Sequence, residues 1–182
     1  MKRTKGRYVR AALVAMVTSI VLLAGGEHQA EAGSPVVVEG TGTFNSVVVR
    51  TTTTMDPPCV SLVTRSGTVE FAGVVTNSLA DSTFLSHAVR DACASPVQGP
   101  TKQTYQLLNA SVAGRTGHLT VEAEGVFEGD ATVAPGARSR YHLTITGVDG
   151  DFKGAYGEGQ SVGLATTASS TNSYYIKIWL KK

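Results

Sequence analysis

The sequence predicts an all-β protein, a small antiparallel barrel that follows an export leader. Two observations carry the fold class. Gly, Thr, Ser and Val are abundant while only 16% of residues are charged, a balance of turn formers and β-branched residues that favours many short strands over helices. Beyond the N-terminus, no stretch sustains apolar residues at i, i+3, i+4 and i+7, the spacing that a helical domain requires.

The first element is the leader. Lys2, Arg3, Lys5, Arg7 and Arg10 form a basic segment, Ala11 to Gly25 is apolar apart from Thr18 and Ser19, and Ala30-Glu31-Ala32 offers a small-x-small cleavage site. These are the three parts of an export signal. An uncleaved membrane anchor is the alternative, but the apolar run is shorter than the ~20 residues that span a bilayer. Residues 1–32 therefore read as the signal and 33–182 as the barrel domain of a secreted protein. The leader holds five of the sixteen Lys and Arg and two of the fourteen Asp and Glu, which leaves the remainder at a net −1. That balance excludes an electrostatic case for nucleic acid or an anionic membrane once the signal is removed. Cys59 and Cys93 are the two cysteines, and an even count in an exported chain reads as one disulfide. A free thiol or metal pair is the other reading, and neither Cys has a His or second Cys at ligand spacing.

The mature chain opens with Pro35 to Glu39 as a first strand. Residues 42–54 then alternate, with Val47, Val49 and Thr51 opposite Phe44, Val48 and Arg50, until Asp56-Pro57-Pro58 stops them, since proline cannot donate to a ladder. Residues 59–64 and 67–76 read as a hairpin across Arg65-Ser66, with Val69, Phe71, Gly73 and Val75 on one face and Thr68, Glu70 and Ala72 on the other. Residues 83–92 read as a strand, with a short helix as the competing assignment. Two prolines and a glycine make 94–102 a loop. Residues 103–113 place Tyr105, Leu107 and Asn109 opposite Leu108, Ala110 and Val112. Gly114 to Gly117 is a tight turn, where glycine accepts positive φ freely. After it Leu119, Val121, Ala123 and Phe127 alternate with polar residues. Residues 130–139 are a loop, 140–146 a strand, and the five glycines of 147–159 read as turns or bulges rather than strand interior. Residues 161–165 pair briefly, 166–172 loop, and 173–180 form the last strand.

Eight to ten short strands suit a barrel or a sandwich. The single Trp179 follows both cysteines, so the Cys…Trp…Cys order of an immunoglobulin-like sandwich is missing. A barrel is the better reading.

No motif identifies a reaction. Gly159-Gln160-Ser161-Val162-Gly163 has the spacing of a nucleophile elbow, but no helix follows it and all four His precede Ser161, unlike the hydrolases that carry it. His87, His118 and His142 are isolated, which gives no metal motif. Glu122 and Glu124 share a strand face that reads as solvated. Glu70 is the more informative acid: pointing into a barrel lumen, its carboxyl would have a raised pKa and could act as acid or base, whereas pointing outward it is a surface charge. Tyr105 and Asn109 share a face that could line the same lumen. Glu70 and Tyr105 are thus the catalytic candidates, and Glu70, Tyr105 and Asn109 the ligand-binding ones.

The run Gly117-His118-Leu119-Thr120-Val121, then Gly147-Val148-Asp149-Gly150-Asp151-Phe152 with Gly154-Ala155-Tyr156-Gly157, then Tyr175 to Lys181, resembles in order the late strands of allene oxide cyclases. Gly-Thr-Phe at 42–44, Gly-Thr-Val-Glu-Phe-x-Gly at 67–73 and Gly-Arg-x-Gly at 114–117 resemble uncharacterised bacterial relatives of that group. The resemblance covers residues 40–181. It implies an eight-stranded antiparallel barrel with a largely apolar cavity, working without a cofactor, and a homo-oligomer such as the plant trimers. Those motifs are turn and strand determinants, so they transfer fold rather than activity. The plant family's catalytic Glu and water site lie in early strands, where Thr43 to Val47 does not match, so no catalytic residue carries over. The functional expectation is a secreted barrel that binds a small apolar molecule. The alternative is a cofactor-free isomerase or cyclase acting on an oxylipin or polyketide, which would work by confining its substrate.

Overall fold

The computed structural model describes residues 36–43, 45–71, 75–130, 133, 135–166 and 170–181, with side chains from residue 50 onward except 170. The chain divides into two compact units, Met1–Ala30 and Glu31–Lys182. The leader lies outside the described residues. Among those described, no helix is long and apolar enough to cross a membrane.

The second unit is all-β, as expected. Among the described residues nine strands form one antiparallel sheet: β1 (Val36–Thr43), β2 (Asn45–Thr54), β3 (Val60–Glu70), β4 (Ser82–Asp91), β5 (Gln98–Val112), β6 (Arg115–Glu128), β7 (Ala137–Gly147), β8 (Tyr156–Ala165) and β9 (Ser170–Trp179). The hydrogen-bonded order is β1-β9-β8-β7-β6-β5-β4-β3-β2, one strand more than the eight anticipated. From β2 to β9 every neighbour is also the next strand in sequence, so short connections suffice. β1 departs from this rule. It pairs with β9, Val36 opposite Ile178, whereas β2 pairs with β3, Asn45 opposite Glu70. Only position 44 separates β1 from β2, so one continuous segment belongs to both ends of the strand order.

Three local assignments change in the structure. Arg65-Ser66 is no turn, because β3 runs unbroken through it, with Arg65 opposite Arg50 on β2 and Ser86 on β4. A two-residue hairpin needs positive φ, and this dipeptide has no Gly, Asn or Asp to supply it. The turn expected at Gly114–Gly117 is tighter, because the β5–β6 hairpin turns at Ala113-Gly114, at φ 51° and 78°, with Val112 already paired to Arg115. Residues 98–102 belong to β5 despite Pro100. The β4–β5 ladder skips from Ala88–Thr101 to Asp91–Gln98, so the proline sits where that neighbour asks for no donor.

A β-bulge on β5 decides which residues face inward. Leu107 pairs with Leu119, but the next pair is Ala110 with Gly117, so β5 carries one extra residue. The extra residue flips the alternation. Ala110 and Val112 join Tyr105 and Leu107 in the core, and Asn109 is exposed.

Gly157 and Gly159 are strand interior, contrary to their reading as turns or bulges, and Gly163 continues the same strand. On β8 the inward positions are Gly157, Gly159, Ser161 and Gly163, all buried. A Cβ at Gly159 would meet the carbonyl oxygen of Tyr175 and lie 3.0 Å from the Ile176 Cα. Side chains from β7 and β9 occupy the space that β8 leaves vacant.

Phe152, Leu107, Leu119, Ile145, Ile178 and Val69 are the largest fully buried side chains, each contributing about 1.5–3 kcal/mol by leaving water. They gather at one end of the sheet. Phe152 enters from the short 3₁₀ turn Gly150–Phe152, which folds over the start of β6. Asp149 and Asp151 fasten it there by accepting the backbone N–H of His118 and of Thr116, both at 3.0 Å. Between residues distant in sequence, the Val75 N–H donates to the Tyr174 hydroxyl at 3.1 Å. At the other end Cys59 and Cys93 are joined as expected, their Cα atoms 5.6 Å apart, within the range a disulfide spans.

Candidate functional site

Two cavities are lined by described residues of the inner face. The smaller, about 50 Å³, lies against the apolar end between Phe71, Leu143, Ile145, Tyr174 and Ile176. The larger, about 440 Å³, opens toward the disulfide end and is lined from every strand between β2 and β9. Its size falls in the range of small-molecule sites. Tyr105 and Tyr141 line both, so they stand at the boundary between packed core and open space.

The lining follows from strand alternation. Val63, Val69, Phe84 and Phe127 give the large cavity an apolar wall, while Arg50, Arg65, Gln103, Tyr141, Thr101 and Ser86 give it a polar one. It is therefore amphipathic, more polar than the apolar lumen that the resemblance implies. Polar inward positions lie near the strand ends that open to solvent, where they keep some hydration.

Tyr105 is 4% exposed. Its ring stacks on Phe84 at 5.3 Å and meets Phe71 edge-on at 5.5 Å. Its hydroxyl donates to the Gln103 Oε1, and Gln103 Nε2 donates to the Tyr141 hydroxyl at 2.7 Å. A chain of polar groups thus runs from the core boundary to the cavity wall. Burial drives the Tyr105 pKa well above its ordinary value. It raises Tyr141 too, opposed by hydrogen bonds from Ser139 and Thr101 and by the charge of Arg65. Both phenols stay protonated and can donate hydrogen bonds. Neither is a base near neutral pH.

Arg65 has its pKa lowered, first by partial desolvation and then by repulsion from Arg50. Arg90, also on the wall, pairs with Asp130 at 2.8 Å.

Of the candidates from sequence, Tyr105 alone lines the cavity. Glu70 is half-buried on the face opposite Val69 and lines neither cavity, which removes it as a lumen acid. Asn109 is turned outward by the bulge. Glu122 and Glu124 are exposed as anticipated, Glu124 paired with Lys102 at 2.6 Å. His87 hydrogen-bonds Thr64 at 3.1 Å, and His118 hydrogen-bonds Gln106 at 2.8 Å. Ser161 lies mid-strand in β8 and has no strand-to-helix turn beneath it. Cys59, Asp91 and Cys93 cluster closely enough to suggest a metal group, but the sulfurs are bonded to each other, and Asp91 accepts the backbone N–H groups of Cys93 and Ala94.

Sequence reading missed Arg50, Arg65, Gln103 and Tyr141 as site residues. Alternation held the signal for two of them, since Gln103 precedes Tyr105 and Tyr141 precedes Leu143 by two, on the same face. No family model, curated protein or solved structure matches the chain.

Proposed function

We propose that this chain is an exported β-barrel that binds a small, largely apolar molecule in its interior. The observation that carries the reading is the 440 Å³ cavity walled by strands β2 to β9. The barrel itself is part of the proposal. Segment 36–54, paired to β9 through one half and to β3 through the other, supports closure of the sheet on itself, in the manner of the allene oxide cyclase-like barrels that the sequence resembles. The disulfide supports an oxidising compartment, because cytosolic thiols are kept reduced.

A second reading, a cofactor-free isomerase or cyclase for an oxylipin or polyketide, is favoured by Tyr105 and Tyr141. A phenol held neutral beside a cavity suits polarising a carbonyl. Binding ranks first, because among the described residues the lining carboxylate is Asp130, which is ion-paired with Arg90.

Titration with N-phenyl-1-naphthylamine, a neutral dye whose fluorescence rises in apolar surroundings, tests the binding reading. Saturable single-site binding is the expected result. Fluorescence that rises without saturation would show only surface adsorption and would remove the reading.

A further inference from the structure

Arg50 and Arg65 occupy the same rung of the β2–β3 ladder, and both line the large cavity. Like charges directly opposite on neighbouring strands repel, and the Arg65 pKa is lowered in part by the charge of Arg50, although both side chains stay exposed to solvent. Such pairs are normally relieved by a carboxylate, and among the described residues none pairs with either arginine. Among the described residues the two ion pairs are Arg90–Asp130 and Lys102–Glu124. Asp130, the single carboxylate on the described cavity wall, is held by Arg90. The wall therefore carries an excess of positive charge beside an apolar surface of Val63, Val69 and Phe84.

We propose that the ligand is a small organic anion, its acidic group gripped between the guanidinium groups of Arg50 and Arg65 and its apolar body lying on Val63, Val69 and Phe84. The inference rests on the binding reading above and names the chemical class of the ligand. A guanidinium presents a planar fork of N–H donors that matches an oxyanion in bidentate fashion. An anion seated there turns a repulsive rung into an attractive triad, and a neutral or cationic ligand leaves the repulsion in place. The Tyr141 hydroxyl, close enough for Arg65 to act on its ionisation, offers a further polar contact at the same end. Carboxylates, sulfonates and phosphate esters share this chemistry.

Two dyes with nearly the same apolar body separate the proposal from the reading beneath it. N-phenyl-1-naphthylamine is neutral, and 1-anilinonaphthalene-8-sulfonate carries an acidic group. The anionic dye is expected to bind the purified protein at least about tenfold more tightly at low salt. Arg50→Gln and Arg65→Gln are each expected to weaken it by about 10–100-fold, the range for charge-assisted hydrogen bonds. Near-ultraviolet circular dichroism matching that of the parent reports that the variants fold. Since each substitution removes a repulsion, the ligand-free variants should melt no lower than the parent. Displacement of the anionic dye by decanoate or by decyl phosphate supports the site, and the stronger competitor assigns carboxylate or phosphate ester. If both dyes bind equally, or the arginine variants keep full affinity for the sulfonate, the anion proposal is overturned and the binding reading stands. If neither dye saturates, the binding reading itself fails.

Discussion

A phenol inside an apolar wall keeps its proton, because the phenolate would lose its hydration there. Burial raises the pKa of Tyr105 well above the ordinary value and raises that of Tyr141 in the same direction. A group whose folded pKa exceeds its unfolded one stabilises the fold below the unfolded value, about 10 for tyrosine. That stabilisation is lost as pH climbs from there through the folded pKa. Tyrosinate absorbance from Tyr105 and Tyr141 is thus expected to appear only as the near-ultraviolet circular dichroism collapses, above about pH 10. Full ionisation of every tyrosine with the folded signal intact would contradict their burial. Tyr105 was legible in the sequence because it alternates cleanly with Leu107. Arg65 was not, since a polar pair between two apolar runs looks the same whether it forms a turn or lines a cavity.

At the scale of elements, the inner face of β8 is the most constrained feature. Its glycines let β7 and β9 pack over it, and at Gly159 a side chain has no space to enter. Gly159→Ala is expected to destabilise by about 1–3 kcal/mol, the usual effect of overpacking, whereas Gln160→Ala on the exposed face should stay within about 0.5 kcal/mol. Urea denaturation of the two variants makes the comparison, and equal midpoints would show that β8 is not packed this way. Composition alone marked 147–159 as punctuation, and for Gly150 and Gly154, both at positive φ, that was right. Gly157 and Gly159 carry the same letter for a different reason, close packing, which depends on neighbours distant in sequence. The β5 bulge was hidden for a related cause. One extra residue between Leu107 and Ala110 reverses every later side chain, and nothing local to Leu108-Asn109 announces it.

For the molecule as a whole, alternation and turn chemistry made the all-β class legible, and the cysteine count made the disulfide legible. Strand order was less so, because the split pairing of segment 36–54 depends on which partners its two halves find. The disulfide ties the β2–β3 connection to the β4–β5 connection at the open end, across a sequence separation of 34 residues. Loop-closure entropy for that length gives about 3–4 kcal/mol. Replacing Cys59 and Cys93 together by serine should lower stability by that order in urea denaturation, and no loss would place the stability of this end elsewhere.

The central claim is that a small molecule occupies the interior between β2 and β9. Ala88 lines that space, while Leu85 on the same strand is 44% exposed on the outer face. Measured with N-phenyl-1-naphthylamine, Ala88→Trp should abolish saturable binding by filling the cavity, and Leu85→Trp should leave it unchanged. Wild-type affinity in a folded Ala88→Trp protein would contradict the account, because the dye would then be binding somewhere other than the interior.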